Sequence, residues 1–210
     1  MKYELSFLPL EASEMRVETE EGKPKRIVGY AAVFNRKSED LGGFVEIIRP
    51  GAFRKAIGDG ADIRALFNHD PNYVIGRTTN GTLKLEENQT GLKYEVTPPD
   101  TQWARDLITS IERGDITGCS FSFRVAKDGE KWSSQGDLQL RELIDIEAVG
   151  DVGPVTYPAY PATSVSVRSK QEVFESYTAE EARARSEAAK IEARRALKLR
   201  KMRLELEKVK

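Results

Sequence analysis

Histidine occurs once in this 210-residue chain, at position 69, in a polar turn that follows the apolar residues 63–67. Histidine is the usual general base, because its ordinary pKa lies near neutrality. A lone histidine is more often structural, but the end of a strand is where catalytic side chains tend to lie. If the protein uses an imidazole in catalysis, His69 must supply it.

Two candidate nucleophiles stand side by side, Cys119 and Ser120, directly after Gly118. A glycine there lets backbone N–H groups approach an oxyanion. The segment is not a Gly-x-Ser-x-Gly elbow, because Ser122 stands where that motif has its second glycine. Strand alternation puts Cys119 on the apolar face, which indicates a core thiol. On spacing alone, Ser120 is a weak candidate on the polar face.

A carboxylate that orients the imidazole would complete a catalytic triad. Three acidic residues lie 25 to 31 positions after Ser120, namely Asp145, Glu147 and Asp151. All three share strand parity, so alternation does not choose among them. The ordinary expectation for each is a solvated carboxylate or an ion pair with lysine or arginine.

The elements that must position these residues are mostly strands. Runs of strand-forming residues occur at 27–34, 44–48, 74–78, 82–86, 92–96, 120–126 and 138–149. Asn80-Gly81 predicts a two-residue hairpin between two of these runs. The alternation slips near Leu143, which indicates a bulge, and residues 127–137 have the composition of a polar loop.

Two helices are predicted in the same region. One is short, at residues 52–57. The other begins after a cap at Thr101 and ends at Gly114, with its apolar residues at helical spacing. Those apolar residues are Trp103, Leu107, Ile108 and Ile111.

A charged tail follows. Thr178 and Glu181 fit a capping box, and the next 30 or so residues contain neither glycine nor proline. Composition therefore predicts a long helix. A short apolar seam runs through it at Leu199, Met202, Leu206 and Val209. A solvated helix and a dimer seam explain this spacing equally well. We therefore predict a body at 1–169 and a helical or coiled-coil tail at 170–210.

Composition excludes several classes of protein. A single cysteine allows no intrachain disulfide, and one cysteine with one histidine cannot form a Cys/His zinc site. No metal-ligand cluster, phosphate-binding loop, membrane-length apolar run or signal peptide is apparent. The chain has 33 basic and 34 acidic residues, of which the tail holds 12 basic and 8 acidic. The body is therefore left with 21 basic and 26 acidic residues, a net charge of −5. The pattern predicts a soluble, intracellular protein that does not bind nucleic acid.

Five segments in order resemble the prohead (capsid maturation) protease family of tailed bacteriophages. They are residues 29–35 (GYAAVFN), 49–53 (RPGAF), 66–70 (LFNHD), 118–123 (GCSFSF) and 151–161 (DVGPVTYPAYP). Each segment alone is weak. Five in order, one of them holding the only histidine, are specific, and the resemblance spans roughly residues 27–168.

The resemblance implies a serine endopeptidase related in fold to the herpesvirus assemblin proteases. That fold is a mostly antiparallel β-barrel surrounded by helices. The resemblance assigns the general base to His69, the nucleophile to Ser120 and the orienting acid to Asp151, with Glu147 as second choice. It implies no cofactor and no metal. For the oxyanion, the backbone of residues 118–120 and the side chain of Arg124 are both candidates.

The resemblance also implies a biological role. We expect cleavage of the scaffolding region of the major capsid protein, or of a separate scaffold, inside the procapsid in the host bacterial cytoplasm. Expected partners are the capsid protein and a second copy of the chain, through self-cleavage or dimerisation, with no nucleic acid and no membrane. The protease would be lost from the mature virion. The tail lies outside the resemblance, and our hypothesis is that it pairs with scaffold helices and brings the protease into the shell.

Two other classes compete with the protease. In one, the body is a non-enzymatic internal scaffold with a vestigial site. In the other, it is a β-barrel binding module. Neither gives a chemical reason for His69, Ser120 and Asp151 to occur together.

Overall fold

The structure is a computed structural model that describes residues 3–8, 10–41, 43–58, 60–136 and 138–157, and in the tail residues 174, 175, 177–180, 182–187, 190–192 and 195. The chain divides into two compact units, Met1–Lys170 and Gln171–Lys210. The described residues of the second unit are helical. The predicted seam from Leu199 to Val209 lies outside the described residues.

Strands are the main secondary structure of the first unit, as the sequence predicts. In chain order the strands are β1 (Glu4–Leu8), β2 (Arg16–Glu18), β3 (Arg26–Val33), β4 (Phe44–Ile48), β5 (Arg64–Leu66), β6 (Val74–Arg77), β7 (Leu83–Glu87), β8 (Gly91–Val96), β9 (Gly118–Val125), β10 (Glu130–Gln135), β11 (Leu138–Leu143) and β12 (Ile146–Val155). Two α-helices, α1 (Leu10–Ser13) and α2 (Gln102–Glu112), and a 3-10 helix at Thr78–Asn80 complete the unit.

Within the described residues these strands form three sheets. The largest has the order β1-β9-β12-β5-β6, the second β2-β3-β8-β7 and the third β10-β11-β4. Most neighbouring strands are antiparallel, but β12 with β5 and β11 with β4 run parallel. The sheets are not closed into a barrel, so the predicted closed barrel is wrong. One place where the strands do not close on themselves lies between β6 and β7, which are consecutive in the chain but belong to different sheets and do not pair.

The same break explains why the predicted Asn80-Gly81 hairpin is wrong. Residues 78–80 form a 3-10 helix, and Gly81 follows it with a left-handed φ of 75°. The glycine therefore ends a helical turn instead of occupying a hairpin loop. The chain leaves the sheet of β6 at this point and enters the sheet of β7.

Three other expectations differ from the structure. Residues 52–57 form hydrogen-bonded turns and no α-helix. The predicted polar loop at 127–137 contains β10, which pairs with β11. The predicted strand at 138–149 is two strands, because the slip near Leu143 is a change of sheet. The helix after Thr101 is confirmed as α2, although the Thr101 side chain makes no cap hydrogen bond.

Aromatic side chains pack against the inner face of β9. Phe121 and Phe123 are buried and stacked, with ring centroids 5.0 Å apart, and Phe53 meets Phe121 edge to face at 5.4 Å. Ala104, Leu107, Ile108 and Ile111 are the buried face of α2. This core fixes β9 from one side, so its opposite face can present polar side chains at a defined place.

Candidate active site

Ser120 lies near the start of β9, which is paired on both sides, with β1 on one edge and β12 on the other. The sequence predicts alternation, with Phe121 and Phe123 in the core and Ser120 and Ser122 on the other face. The alternation is present, but the second face is also covered. Ser120 has 0% and Ser122 6% of its surface exposed. The polar face of this strand is therefore an interior site and not a solvated surface.

His69 is carried by the turn that follows β5. Asn68 and His69 both have left-handed backbone angles, with φ of 55° and 58°. Asn68 N–H donates to the carbonyl of Pro154 at 3.0 Å. Asn68 Nδ2 donates to Thr156 Oγ1 at 3.0 Å, and Thr156 N–H donates to Asn68 Oδ1 at 2.8 Å. These three bonds attach the histidine turn to the end of β12.

Asp151 reaches the same place because it lies opposite Ser122 of β9. The pairing of β12 with β9 shifts register between Ile146 and Ala148 and again between Val149 and Asp151. Each one-residue shift changes the face that the following residues occupy, so the two together restore the original face. Asp151 is buried there, with 8% exposure. Strand parity does not separate the three acids, and the position of each along β9 does.

The structure brings the side chains of His69, Ser120 and Asp151 together. His69 Nε2 lies 2.6 Å from Ser120 Oγ, and His69 Nδ1 is hydrogen-bonded to Asp151 Oδ2. A serine hydroxyl, an imidazole and a carboxylate in this sequence form the hydrogen-bonded chain that activates a serine nucleophile. Asp151 can hold the imidazole in the tautomer whose Nε2 accepts the serine proton.

Ser122 is a fourth member of this network, and the sequence reasoning did not identify its role. Its hydroxyl is hydrogen-bonded to Asp151 Oδ1, and it accepts the backbone N–H of Asp151 at 3.0 Å. The signal was available, since Ser122 stands two residues after Ser120 and shares its face of the strand. Asn68 and Thr156 were also missed, although both lie inside segments that carry the resemblance.

The other candidate residues lie elsewhere. Glu147, the second choice for the acid, is paired with Arg124 at 3.1 Å, and Asp145 is paired with Lys55. Cys119 is buried, as alternation predicts, and lies 3.1 Å from the hydroxyl of Tyr94. Burial raises the pKa of the Cys119 thiol to about 12, although hydrogen bonds from its neighbours oppose that shift. A thiol that stays protonated at neutral pH is a poor nucleophile.

Both candidate oxyanion donors, the backbone of residues 118–120 and the Arg124 side chain, have other partners in the structure. Residues 118–120 lie within a strand that is paired on both sides, so their N–H groups face neighbouring strands. Arg124 is four residues from Ser120 along the strand, which is ~13 Å. Its guanidinium stacks over Tyr3 at 5.1 Å and pairs with Glu147. Neither predicted donor faces the serine hydroxyl in this arrangement.

The serine hydroxyl also has a second neighbour. Ser120 Oγ lies 2.8 Å from the backbone carbonyl oxygen of Ser6 in β1, which can accept its proton. One hydroxyl proton serves one strong acceptor at a time, so Ser6 competes with His69 for it. With 0% of Ser120 exposed, a peptide carbonyl reaches Oγ only after a neighbouring group moves.

Residues 11–177 match the family described as caudovirus prohead serine protease. The chain belongs to this family. The prohead protease of Enterobacteria phage HK97 is 31% identical over 145 residues, which cover 67% of this chain and 59% of that relative. The aligned part thus spans less than two thirds of the relative's length. No solved structure matches the chain.

The family match includes all four residues of the hydrogen-bonded network. It begins before the first segment that carried the resemblance and continues past residue 168 to residue 177. Residues 178–210 lie outside the match. The family match therefore does not cover most of the charged tail of this prohead protease family member.

No group of three or more histidine, cysteine, aspartate or glutamate side chains is placed to hold a metal ion among the described residues. None of the helices in this part of the chain is both long enough and apolar enough to cross a membrane.

Proposed function

We propose that this protein is a serine endopeptidase that acts in prohead maturation, with Ser120 as nucleophile, His69 as general base and Asp151 as orienting acid. The observation that carries the proposal is the 2.6 Å contact between His69 Nε2 and Ser120 Oγ, with Asp151 bound to the other ring nitrogen. Membership of the prohead serine protease family supports the same reaction class.

In the proposed reaction, neutral His69 accepts the proton of Ser120 as its oxygen attacks a peptide carbonyl carbon. Asp151 stabilises the resulting imidazolium. His69 then donates that proton to the leaving amine, which leaves an acyl-enzyme on Ser120. Water, activated by the same imidazole, hydrolyses the ester and restores the serine. The net reaction consumes one water molecule for each peptide bond and needs no other co-reactant.

We propose a capsid component as the substrate. The candidates are the scaffolding region of the major capsid protein and a separate scaffold, and the chain itself is a further substrate. Cleavage would occur inside the procapsid in the host bacterial cytoplasm, and the protease would leave before the virion matures. The relative named as a prohead protease supports a role in the prohead. Dimerisation belongs to the same proposal.

One observation favours a second function. Ser120 has 0% exposure, so the described state does not admit a substrate. A non-enzymatic internal scaffold would not need to admit one. The hydrogen-bonded chain from Ser120 through His69 to Asp151 argues against that reading, since an internal scaffold has no chemical need of all three groups.

The test is intact mass over time for the purified protein mixed with its cognate capsid protein. Ser120→Ala and His69→Ala should each lower the cleavage rate by several orders of magnitude, since a triad acts as a unit. Asp151→Asn should also lower it strongly. The matched control is Glu147→Gln, an acid on the same strand that pairs only with Arg124 among the contacts described here.

Fragments from the wild type and from Glu147→Gln alone would support the protease. Identical fragments from all variants would indicate a contaminating enzyme or a different nucleophile. An absence of fragments with assembled proheads as well as with free capsid protein would support the scaffold function.

A further inference from the structure

The N-terminal strand β1 covers the edge of the strand that carries the nucleophile. Its five residues pair antiparallel with β9, with Ser6 opposite Phe121 and Phe7 opposite Ser120. Among the described residues β1 is an edge strand of its sheet and pairs with β9 alone. It can therefore separate from β9 without breaking the pairing of any other two strands.

We propose that β1 occupies the place of the substrate, and that an extended peptide pairs with the edge of β9 once β1 has moved away. The inference rests on the proposed protease function. The occupant is an extended peptide segment, because a strand edge recognises a partner through main-chain hydrogen bonds.

The contact at the nucleophile supports this reading. A substrate must bring a peptide carbonyl to Ser120 Oγ, and β1 already presents one, the carbonyl of Ser6, at 2.8 Å. The carbonyl oxygen of Ser6 accepts a hydrogen bond from the serine hydroxyl. The hydroxyl oxygen therefore faces the oxygen of this carbonyl and not its carbon, where a nucleophile attacks. β1 thus holds the serine hydroxyl in a bonded, unreactive state and accounts for one side of its enclosure.

Moving β1 would also supply the oxyanion donors that the described arrangement lacks. Backbone N–H groups along that edge of β9 are used by β1 at present. When β1 leaves, those beside Ser120 become available to the carbonyl of an incoming peptide. One displacement therefore provides access to Oγ and also supplies the missing donors.

The anchor of β1 is compatible with its release. Glu4 pairs with buried Arg141, with Oε2 and Nη1 2.6 Å apart. The same guanidinium also contacts Glu46 at 3.0 Å and Glu130 at 2.6 Å. Loss of Glu4 leaves two carboxylates on Arg141, so no buried cation is stranded.

A single substitution can lock β1 in place. Leu8 lies directly opposite Cys119, the only cysteine of the chain. Opposed residues on antiparallel strands have Cα atoms about 4.5–5.5 Å apart, which is within the range a disulfide spans. Leu8→Cys therefore offers a reversible bond between β1 and β9, whose formation intact mass reports as the loss of two hydrogens.

The readout is the rate at which a fluorophosphonate probe labels Ser120 in the full chain. Oxidised Leu8→Cys should label at least tenfold more slowly than its reduced form, and reduction should restore the rate. Leu8→Ala, which leaves Cys119 without a second thiol to pair with, should label at the same rate in both conditions. Equal labelling of the oxidised and reduced Leu8→Cys protein would overturn the inference.

A second variant should change the labelling rate in the opposite direction. Glu4→Gln weakens the anchor of β1, so it should label at least threefold faster than the wild type if β1 is a cover. Labelling that is unchanged or slower would show that β1 is a fixed part of the site and would overturn the inference. A wild type that is neither labelled nor able to cleave capsid protein would contradict the proposed function itself.

Discussion

At the scale of single residues, Asp151 is held by two different side chains. One carboxylate oxygen is hydrogen-bonded to His69 and the other to Ser122. A carboxylate fixed at both oxygens cannot rotate away from the imidazole, so Ser122 acts on His69 through Asp151. We therefore consider Ser122 a positioning residue of the candidate site.

Ser122→Ala should lower kcat about 10- to 100-fold with little change in KM, because a hydrogen bond to a charged group contributes about 1.5–3 kcal/mol. The measurement is cleavage kinetics on a peptide substrate across pH, where loss of positioning should also move the acidic limb of the profile. Ser122→Thr, which keeps the hydroxyl, should recover part of the rate. Ser134→Ala, at an exposed serine of β10, is the matched control, and an equal loss there would refute a specific role.

At the scale of elements, the site depends on how one turn is attached to one strand end. The turn after β5 carries His69, and Asn68 attaches it to Pro154 at the end of β12 and to Thr156 just beyond that strand. The approach is close. A side chain at Gly153 would place its Cβ 2.1 Å from the carbonyl oxygen of Leu66. The distance between His69 and Asp151 is therefore set by backbone packing as well as by their own hydrogen bond.

Asn68→Ala should reduce both stability and turnover. It removes two hydrogen bonds to Thr156 and places alanine at a left-handed φ that asparagine tolerates better, at a cost of about 1–2 kcal/mol. We expect a lower Tm and a drop in kcat of about tenfold or more. Asn72→Ala in the same turn is the control, since Asn72 bonds only to Asp70 among the contacts described. Equal effects of the two substitutions would contradict the attachment role.

At the scale of the whole molecule, Arg141 joins elements that are far apart in sequence. It is 1% exposed and contacts carboxylates from β1, β4 and β10, and it lies over the ring of Trp132 at 5.7 Å. Burial alone would lower the pKa of the guanidinium, but the surrounding carboxylates raise it above its ordinary value. The small third sheet and the N-terminal strand are thus tied together by one cation.

Arg141→Met should destabilise the fold by about 3–5 kcal/mol, because it leaves several buried carboxylates without their cation. The measurement is the free energy of unfolding in denaturant at neutral pH. Arg113→Met is the matched control, since the Arg113 side chain is 71% exposed and its ion pair with Asp115 contributes at most about 1 kcal/mol. A loss below 1 kcal/mol for Arg141→Met would refute the joining role.

The tail gives a prediction at the same scale. Residues 178–210 lie outside the family match, and their composition predicts a helix. We propose that this helix binds helical scaffold. A chain that ends at Tyr177 should cleave a peptide substrate at the rate of the full chain but enter proheads less efficiently. The measurements are peptide kinetics and the amount of protease in purified proheads. Equal incorporation of the truncated protein would contradict the targeting role.

Residue types and their order already identified much of this protein. One histidine left one choice of imidazole, and alternation in β9 placed Cys119 in the core and Ser120 on the opposite face. Five ordered segments indicated the family. These properties are local in sequence, because strand alternation and turn composition depend on neighbouring residues.

The tertiary structure decided what depends on contacts distant in the chain. Asp151, and not Glu147, meets His69 because β12 places Asp151 opposite Ser122, whereas Glu147 lies farther along the strand and pairs with Arg124. Asn80-Gly81 ends a 3-10 turn between sheets, although its local sequence favours a hairpin. Ser120 is enclosed because β1, over 110 residues earlier, pairs with its strand. Strand alternation gives each side chain a face, but only the packing of distant strands determines what covers that face.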